Sequence, residues 1–438
     1  MARRSPTPNR VGEFFKRMIL RDDSAVDAPD AVGPDPAVVT MLRSLGTALV
    51  QAGRATNETD EVLHEIARVY GRPEVRVLVM PTAIIIQLVG ETTHTEIDAI
   101  DVRPLRLDQI GAIEKLTDDT ISRRMEPQIV LDRLAQIRAS KPRFNNVVRV
   151  IGHVVLTLGF GMALDPSIDS MPAYAILGAV VGVLIVVGRP GTIIGDAMPI
   201  VAAFVVTVLT GTLLDWSVHD DAVRVITPPL VSFLPGLVLT IAAIELTHGQ
   251  VIAGASRLVY GLSRLVTLAF GLVAGITVVG PISAQGSSDQ IGWWAPLVGV
   301  LLTALGYTLF SGAPKGALPW FVLVLFLVLA AQRIGSHLLS PELSGFVGAL
   351  IIIPLTRAIA LVPKGPSSAV TMLPALWILV PGALGFVGVS EAATEQGAGL
   401  ESLVNMGLAM FAISLGVLVG SGIVRDVTRA KTTWSGIE

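Results

Sequence analysis

"FLPGLVLTIAAIEL", residues 233–246, decides how this chain folds. It belongs to an apolar stretch over 224–245 that is long enough to cross a bilayer. Pro235 and Gly236 sit at the middle of that stretch and Glu245 at its end. Proline removes a backbone donor and clashes with the preceding turn. Glycine costs about 1 kcal/mol in a helix interior. An ionisable side chain in lipid is more costly still. A broken helix at membrane depth is tolerated only where the freed backbone meets protein or a wet cavity.

The composition extends that reading to the whole chain. Of 438 residues, 52% are hydrophobic, and the mean hydropathy is +0.67. These values describe a polytopic membrane protein. Charge is unevenly placed, with 41 of the 67 Lys, Arg, Asp and Glu in residues 1–145. A polar N-terminal region and a membrane region follow. The net charge of −3 invites no nucleic-acid partner. The absence of cysteine excludes disulfides, thiol catalysis and Cys-ligated metals. The basic start lacks an apolar core segment, so no cleaved signal peptide is expected.

Residues 1–36, rich in Asp, Pro, Gly and Ala towards their end, read as a disordered tether. Residues 37–145 read as a small α/β domain. Two amphipathic helices come first, with Gly53 ending one and Thr56 or Asn57 capping the next. Two β-branched runs broken at Met80-Pro81 read as strands, with a third near "HTEIDAIDVRP". From Arg106 to Ser140 the pattern is helical again. No G-x-S-x-G, phosphate loop or metal spacing appears, and His64 and His94 read as surface residues, so neither an enzyme nor a cofactor is indicated. "GRATNETDE" has the residues of an anion-binding helix N-terminus, but a simple cap is the favoured reading.

Ten apolar stretches follow from Val147, at about 147–164, 172–188, 192–214, 224–245, 259–280, 292–310, 318–332, 341–362, 368–390 and 402–424. Arg133, Arg138, Lys141, Arg143 and Arg149 precede the first, which places the N-terminal domain in the cytoplasm. Arg189, Lys315, Arg357, Lys364 and Arg425 then also fall inside, while the outer loops carry Asp165, Asp215, Asp289 and Glu395. Arg333 marks the one loop that disagrees. Ten spans with both termini inside are expected, ending in a cytoplasmic tail over 426–438.

The spans also repeat. Shifting "TPPLVSFLPGLVLTIAAIE" by 146 residues lays it on "MLPALWILVPGALGFVGVSE". Pro235 meets Pro381, Gly236 meets Gly382, and Glu245 meets Glu391. Asp196, early in span three, meets Glu342, early in span eight, at the same offset of 146. Five spans per half make the second half enter the membrane from the opposite side. That is the inverted repeat of many secondary transporters, built here from residues 146–281 and 292–425. Such folds place one broken helix per half around the substrate. Pro235-Gly236 and Pro381-Gly382 occupy those positions; a packing kink is the plainer reading of either pair alone, and its recurrence in both halves favours the site. The four acids mark ion or substrate contacts by default, and each also has a simple interfacial reading near a span end. Thr240, one turn past the first break, is the hydroxyl best placed for a site, and His153 reads as interfacial. Gly178/Gly182 and Gly416/Gly420 are spaced to pack helices.

"FLPGLVLTIAAIELTHGQVIAGASRLVYG", Phe233 to Gly261, resembles the signature region of the bacterial threonine/serine exporter family. There a Pro-Gly span is followed by an acid, a polar turn, a Gly and an Arg. The matching residues here are Pro235, Gly236, Glu245, Gly254 and Arg257. Glu245 replaces a more usual Asp, and "THGQ" a more acidic turn. "LVQAGRATNETDEVLHEIARVYG" is similar to that family's cytoplasmic domain. Related systems divide the halves between two proteins and are associated with export of dicarboxylates such as succinate. The resemblance implies an exporter of L-threonine and L-serine, driven by the proton motive force, in a bacterial cytoplasmic membrane. Its partners would be that substrate, protons and the lipid bilayer, and a homo-oligomer is compatible with the sequence. A dicarboxylate substrate needs fixed positive charge, which the spans supply only at Arg257 and Arg264 near the inner face. A membrane sensor with a cytoplasmic output domain is the reading of a different class.

Overall fold

The computed structural model describes residues 36–88, 93–100, 105–164, 167–188, 192–214, 222–282, 291–340, 343–379, 381–393 and 399–434. Helices α1 (Pro36–Gln51) and α2 (Thr56–Val69) precede three strands, β1 (Arg76–Val79), β2 (Ala83–Leu88) and β3 (His94–Ala99). The strands form an antiparallel sheet in the order β1-β2-β3, with Val77 opposite Ile86 and Ile86 opposite Glu96. Alternation along β2 turns Ile84, Ile86 and Leu88 inward. They join Leu42, Leu45 and Leu49 of α1 and Leu63 and Ile66 of α2 in one core. Helices α3 (Leu107–Arg123) and α4 (Pro127–Ala139) complete it through Ile113, Leu116, Val130 and Leu134. The predicted elements are all present, and the tether lies outside the described residues.

The membrane region opens with α5 (Asn146–Leu164), α6 (Met171–Val187) and α7 (Ile193–Thr212). The fourth stretch is broken as its proline demands. It comprises α8 (Ala222–Ile226), a 3-10 turn (Pro228–Phe233) and α9 (Gly236–Thr247). Then come α10 (Val251–Val279), α11 (Ala295–Ser311), α12 (Leu318–Leu338) and α13 (Ser344–Ala360). The ninth stretch is broken too, into α14 (Ser368–Ile378) and α15 (Pro381–Ala393), and α16 (Gly399–Trp434) ends the chain. Five helices among the described residues are long and apolar enough to cross a membrane. Five more apolar helices are shorter, α9 and α14 among them. Apolar stripes such as Val404, Leu408, Phe411, Leu415, Val419 and Ile423 on α16 face outward at helical spacing. Such a surface suits lipid rather than water.

Two expectations change. Arg333 lies inside α12, which continues to Leu338, so it is not a loop residue. Helix α16 runs to Trp434, so the expected tail continues the last helix.

Glycine determines how the helices meet. On α5 and α11, a Cβ at Gly159 would lie 2.5 Å from the Thr303 nitrogen, and one at Gly306 2.3 Å from the Leu156 nitrogen. Contacts rise along one helix as they fall along the other, so α5 and α11 are antiparallel. Helix α7 instead runs parallel to α10, with Gly271 on Ala203 and Gly275 on Thr207. Helix α13 runs parallel to α16, with Gly416 on Ala349 and Gly420 on the Leu350 carbonyl. Gly178 and Gly182 of α6 rest on Thr157 and His153 of α5, as their spacing predicted.

Candidate functional site

The site grows from the turn between α9 and α10. Gly249 takes a positive φ of 77° there, and the Gln250 N–H donates to the Glu245 carbonyl at 2.8 Å. The reversed chain then packs tightly. A Cβ on Gly254 would sit 2.8 Å from the Ala242 carbonyl oxygen, and one on Gly261 2.4 Å from the Leu239 side chain. Arg257 lies on the same face of α10, between those glycines. It is thereby brought to Glu245, with Nε 3.1 Å from Oε2.

Glu245 is completely buried. An isolated carboxylate there would be strongly disfavoured. Two positive features offset that cost. One is the Arg257 guanidinium. The other is the start of α2, where the Thr56 backbone N–H donates to Glu245 Oε1 at 2.9 Å. The expected cap by Thr56 or Asn57 is absent, since the N-cap residue is Ala55, which has no side-chain acceptor. The first N–H of α2 is satisfied instead by an acid from the membrane region, and the dipole of α2 favours that charge. The anion-binding character of "GRATNETDE" is therefore met from within the chain.

The Arg257 contact is close but poorly aligned. Arg257 Nε and Nη2 and Glu245 Oε2 have no hydrogen-bond partner among the described residues. Buried guanidinium donors of this kind suit a carboxylate.

The first helix break lies just upstream on α9. Leu234 is extended, Pro235 precedes α9, and Gly236 begins it. Ser232 Oγ in the preceding turn is buried without a hydrogen-bond partner among the described residues. The Thr240 hydroxyl donates to the Gly236 carbonyl at 2.9 Å, so it is used within its own helix. At the second break, Pro381 and Gly382 are the first residues of α15. Helix α9 packs against both α14 and α15, which sets the two broken segments side by side.

Asp196 does not join this cluster. Asp196 is exposed in the first turn of α7, beside the Thr192 cap. Glu391 lies on α15, and Glu342 lies outside the described residues. His153 is not interfacial: it is buried, with Nδ1 2.9 Å from the Gly178 carbonyl and its ring edge-on to Phe310.

Further contacts brace the N-terminal domain and join it to the membrane helices. Arg54 pairs with buried Glu114 beside α2. The Arg143 guanidinium donates to the Ala313 carbonyl. Gly111 lets α3 approach α14 closely, since a Cβ there would lie 3.0 Å from Val370 and 3.5 Å from Pro314. Between the domain, the ends of α9, α13 and α14, and the middle of α16 is a cavity of about 970 Å³.

Fold and site together describe a helical, multi-pass membrane protein with an ion pair buried where a broken helix meets the next span. Its family is identified by a direct match: the family model described as "Putative threonine/serine exporter" (ThrE) covers residues 40–279. That is more than half of the chain, and the chain belongs to this family. The match runs from α1 to the end of α10 and so includes Thr56, Glu245 and Arg257. No curated protein and no solved structure matches the chain.

Proposed function

We propose that this protein is a secondary exporter of small polar amino acids, L-threonine and L-serine, driven by the proton motive force. It would act in a bacterial cytoplasmic membrane with both termini inside. The observation that carries this reading is Glu245, fully buried beside the unused donors of Arg257 in a chain of the exporter family. An α-amino acid needs one group for its carboxylate and one for its ammonium. Arg257 and the α9 and α15 N-termini suit the first, and Glu245 suits the second. Asp196, Glu342 and Glu391 are then candidates for carrying protons.

Packing favours a transporter built from two inverted halves. Gly152 and Gly159 correspond to Gly299 and Gly306 at an offset of 147, and these four glycines form the antiparallel α5–α11 contact. The parallel α7–α10 contact recurs as α13–α16, with Ala203 and Ala349 in matching places at an offset of 146. Pro235-Gly236 and Pro381-Gly382 would face the substrate from the two halves.

The test uses purified protein in liposomes, with labelled L-threonine or labelled succinate and an imposed or absent pH gradient. Gradient-driven threonine movement, lost in Glu245→Gln, is the expected result. Succinate movement without threonine would transfer the protein to the dicarboxylate reading. Movement of neither above empty liposomes would overturn the exporter reading in favour of a sensor.

A further inference from the structure

The cavity between the N-terminal domain and the membrane helices has walls of opposite net charge. On the domain side, Glu58, Glu61 and Glu65 share one face of α2, and Asp118 projects from α3; Arg54, paired with Glu114, and Lys115 line the same side, which stays acidic on balance. On the other side are Lys315, Arg357 on α13 and Lys364. Like charges at helical spacing repel one another, so three acids on one face are ordinarily turned to bulk water. Here that face lines the open cavity, with Glu61 and Glu65 still reaching solvent. The opposite wall also contains the start of α14, from Ser367 to Val370. Ser367 is the N-cap residue, yet its side chain makes no cap. Ser367 Oγ and, across the cavity, Asn57 Oδ1 are buried atoms without a hydrogen-bond partner among the described residues. Buried polar atoms are ordinarily satisfied, and both of these border the cavity. Ile244 and His248 reach it from α9, on either side of Glu245.

We propose that this cavity captures a free zwitterionic α-amino acid before it reaches Glu245 and Arg257. The inference rests on the exporter reading and names the site where its substrate is first held. The carboxylate is placed at the start of α14, with Ser367 and Arg357. The ammonium is placed against the Glu58, Glu61 and Glu65 face. A dicarboxylate would meet that acidic wall with its second charge, and a simple amine would leave the basic wall unanswered.

Binding is measured by equilibrium dialysis of labelled L-threonine against the full-length protein in lipid nanodiscs. Competitors are L-threoninamide, which lacks the carboxylate, and N-acetyl-L-threonine, which lacks the ammonium. Transport by the same preparations in liposomes is recorded in parallel. The wild type is expected to prefer threonine over either analogue by about tenfold or more. Arg357→Gln and Ser367→Val should lower the preference over threoninamide and keep the preference over N-acetyl-threonine. Glu61→Gln should do the reverse. A variant that merely misfolds loses both preferences together, and the other two variants then decide. If the wild type transports threonine and all three variants keep wild-type affinity and preferences, the capture site is wrong and the exporter stands. If the wild type neither binds nor transports threonine, both fall.

Discussion

The Thr56 backbone N–H donates to Glu245 Oε1 at 2.9 Å, joining residues 189 positions apart. One carboxylate thus completes the first turn of a helix in the N-terminal domain and opposes an arginine in the membrane region. The energetics of such a contact are asymmetric. Removing one partner of a buried pair costs about 3–5 kcal/mol, because the other charge is left uncompensated. Glu245→Gln leaves Arg257 in that position and should lower the melting temperature of the purified protein. Arg257→Gln should do the same. The double substitution should lose less than the sum of the two. Strictly additive losses would mean that the two groups do not interact.

Thr56→Pro isolates the contact between the domain and the membrane helices. Thr56 is the first residue of α2, a position where proline is well tolerated. Ala55 before it is extended, with ψ 151°, as proline requires of its predecessor. The substitution therefore removes the N–H and keeps the helix. Helix content by circular dichroism should be unchanged, while proteolysis within residues 140–145 should accelerate. Unchanged proteolysis would show that the domain is held by its other contacts, such as Arg143 to Ala313.

Gly306→Ala tests the antiparallel helix contact. The added methyl would sit 2.3 Å from the Leu156 nitrogen, and that neighbour is backbone, so it cannot turn aside. Overpacking of this kind costs about 1–3 kcal/mol. The expected result is a clear loss of monodisperse protein in size-exclusion chromatography and a lower melting temperature. Gly422→Ala is the control, because nothing lies within 4 Å of the place its methyl would take.

The sequence carried the local signals and not the long-range ones. The β-branched run in "AIIIQL" and the breaker at Met80-Pro81 were sufficient for the strands, and Pro235 and Pro381 were sufficient for the helix breaks. Both depend on neighbours in the chain. The partner of Glu245 depends on tertiary docking, and no periodicity around Thr56 reveals it. His153 was misplaced for the same reason: its burial comes from α6 and α11, not from its position on α5. The glycines of the α5–α11 contact did leave a signal, the shared offset of 147, which is easily passed over among 43 glycines.

Asp118 provides a pH test outside the membrane helices. Partial desolvation at the cavity wall, followed by the charge of Glu114, raises its carboxyl above the ordinary carboxylate value, against the opposing pull of Arg54 and Arg357. A raised pKa means that the folded state holds the proton more tightly than the unfolded state. Its ionisation therefore costs stability at neutral pH, and that cost disappears below the unfolded value of about 4. Asp118→Asn should raise the melting temperature slightly at pH 7, with little difference near pH 3. The size is small because the side chain still reaches solvent and is screened. A lower melting temperature for the variant at pH 7 would show that attraction to the two arginines prevails. An acid kept at a stability cost where it lines a cavity fits a binding role, since functional groups are commonly retained at the expense of stability.

The absence of cysteine makes the orientation directly measurable. A single cysteine introduced at Trp293, 84% exposed just before α11, falls on the outer side if the basic loops lie inside. One introduced at Gln128, exposed at the start of α4, falls inside. A membrane-impermeant maleimide applied to intact cells should label the first and not the second, and lysis should make both reactive. Labelling of Gln128→Cys in intact cells would invert the protein. Export would then run against the side on which the charged cavity opens, and the capture site would face the wrong compartment.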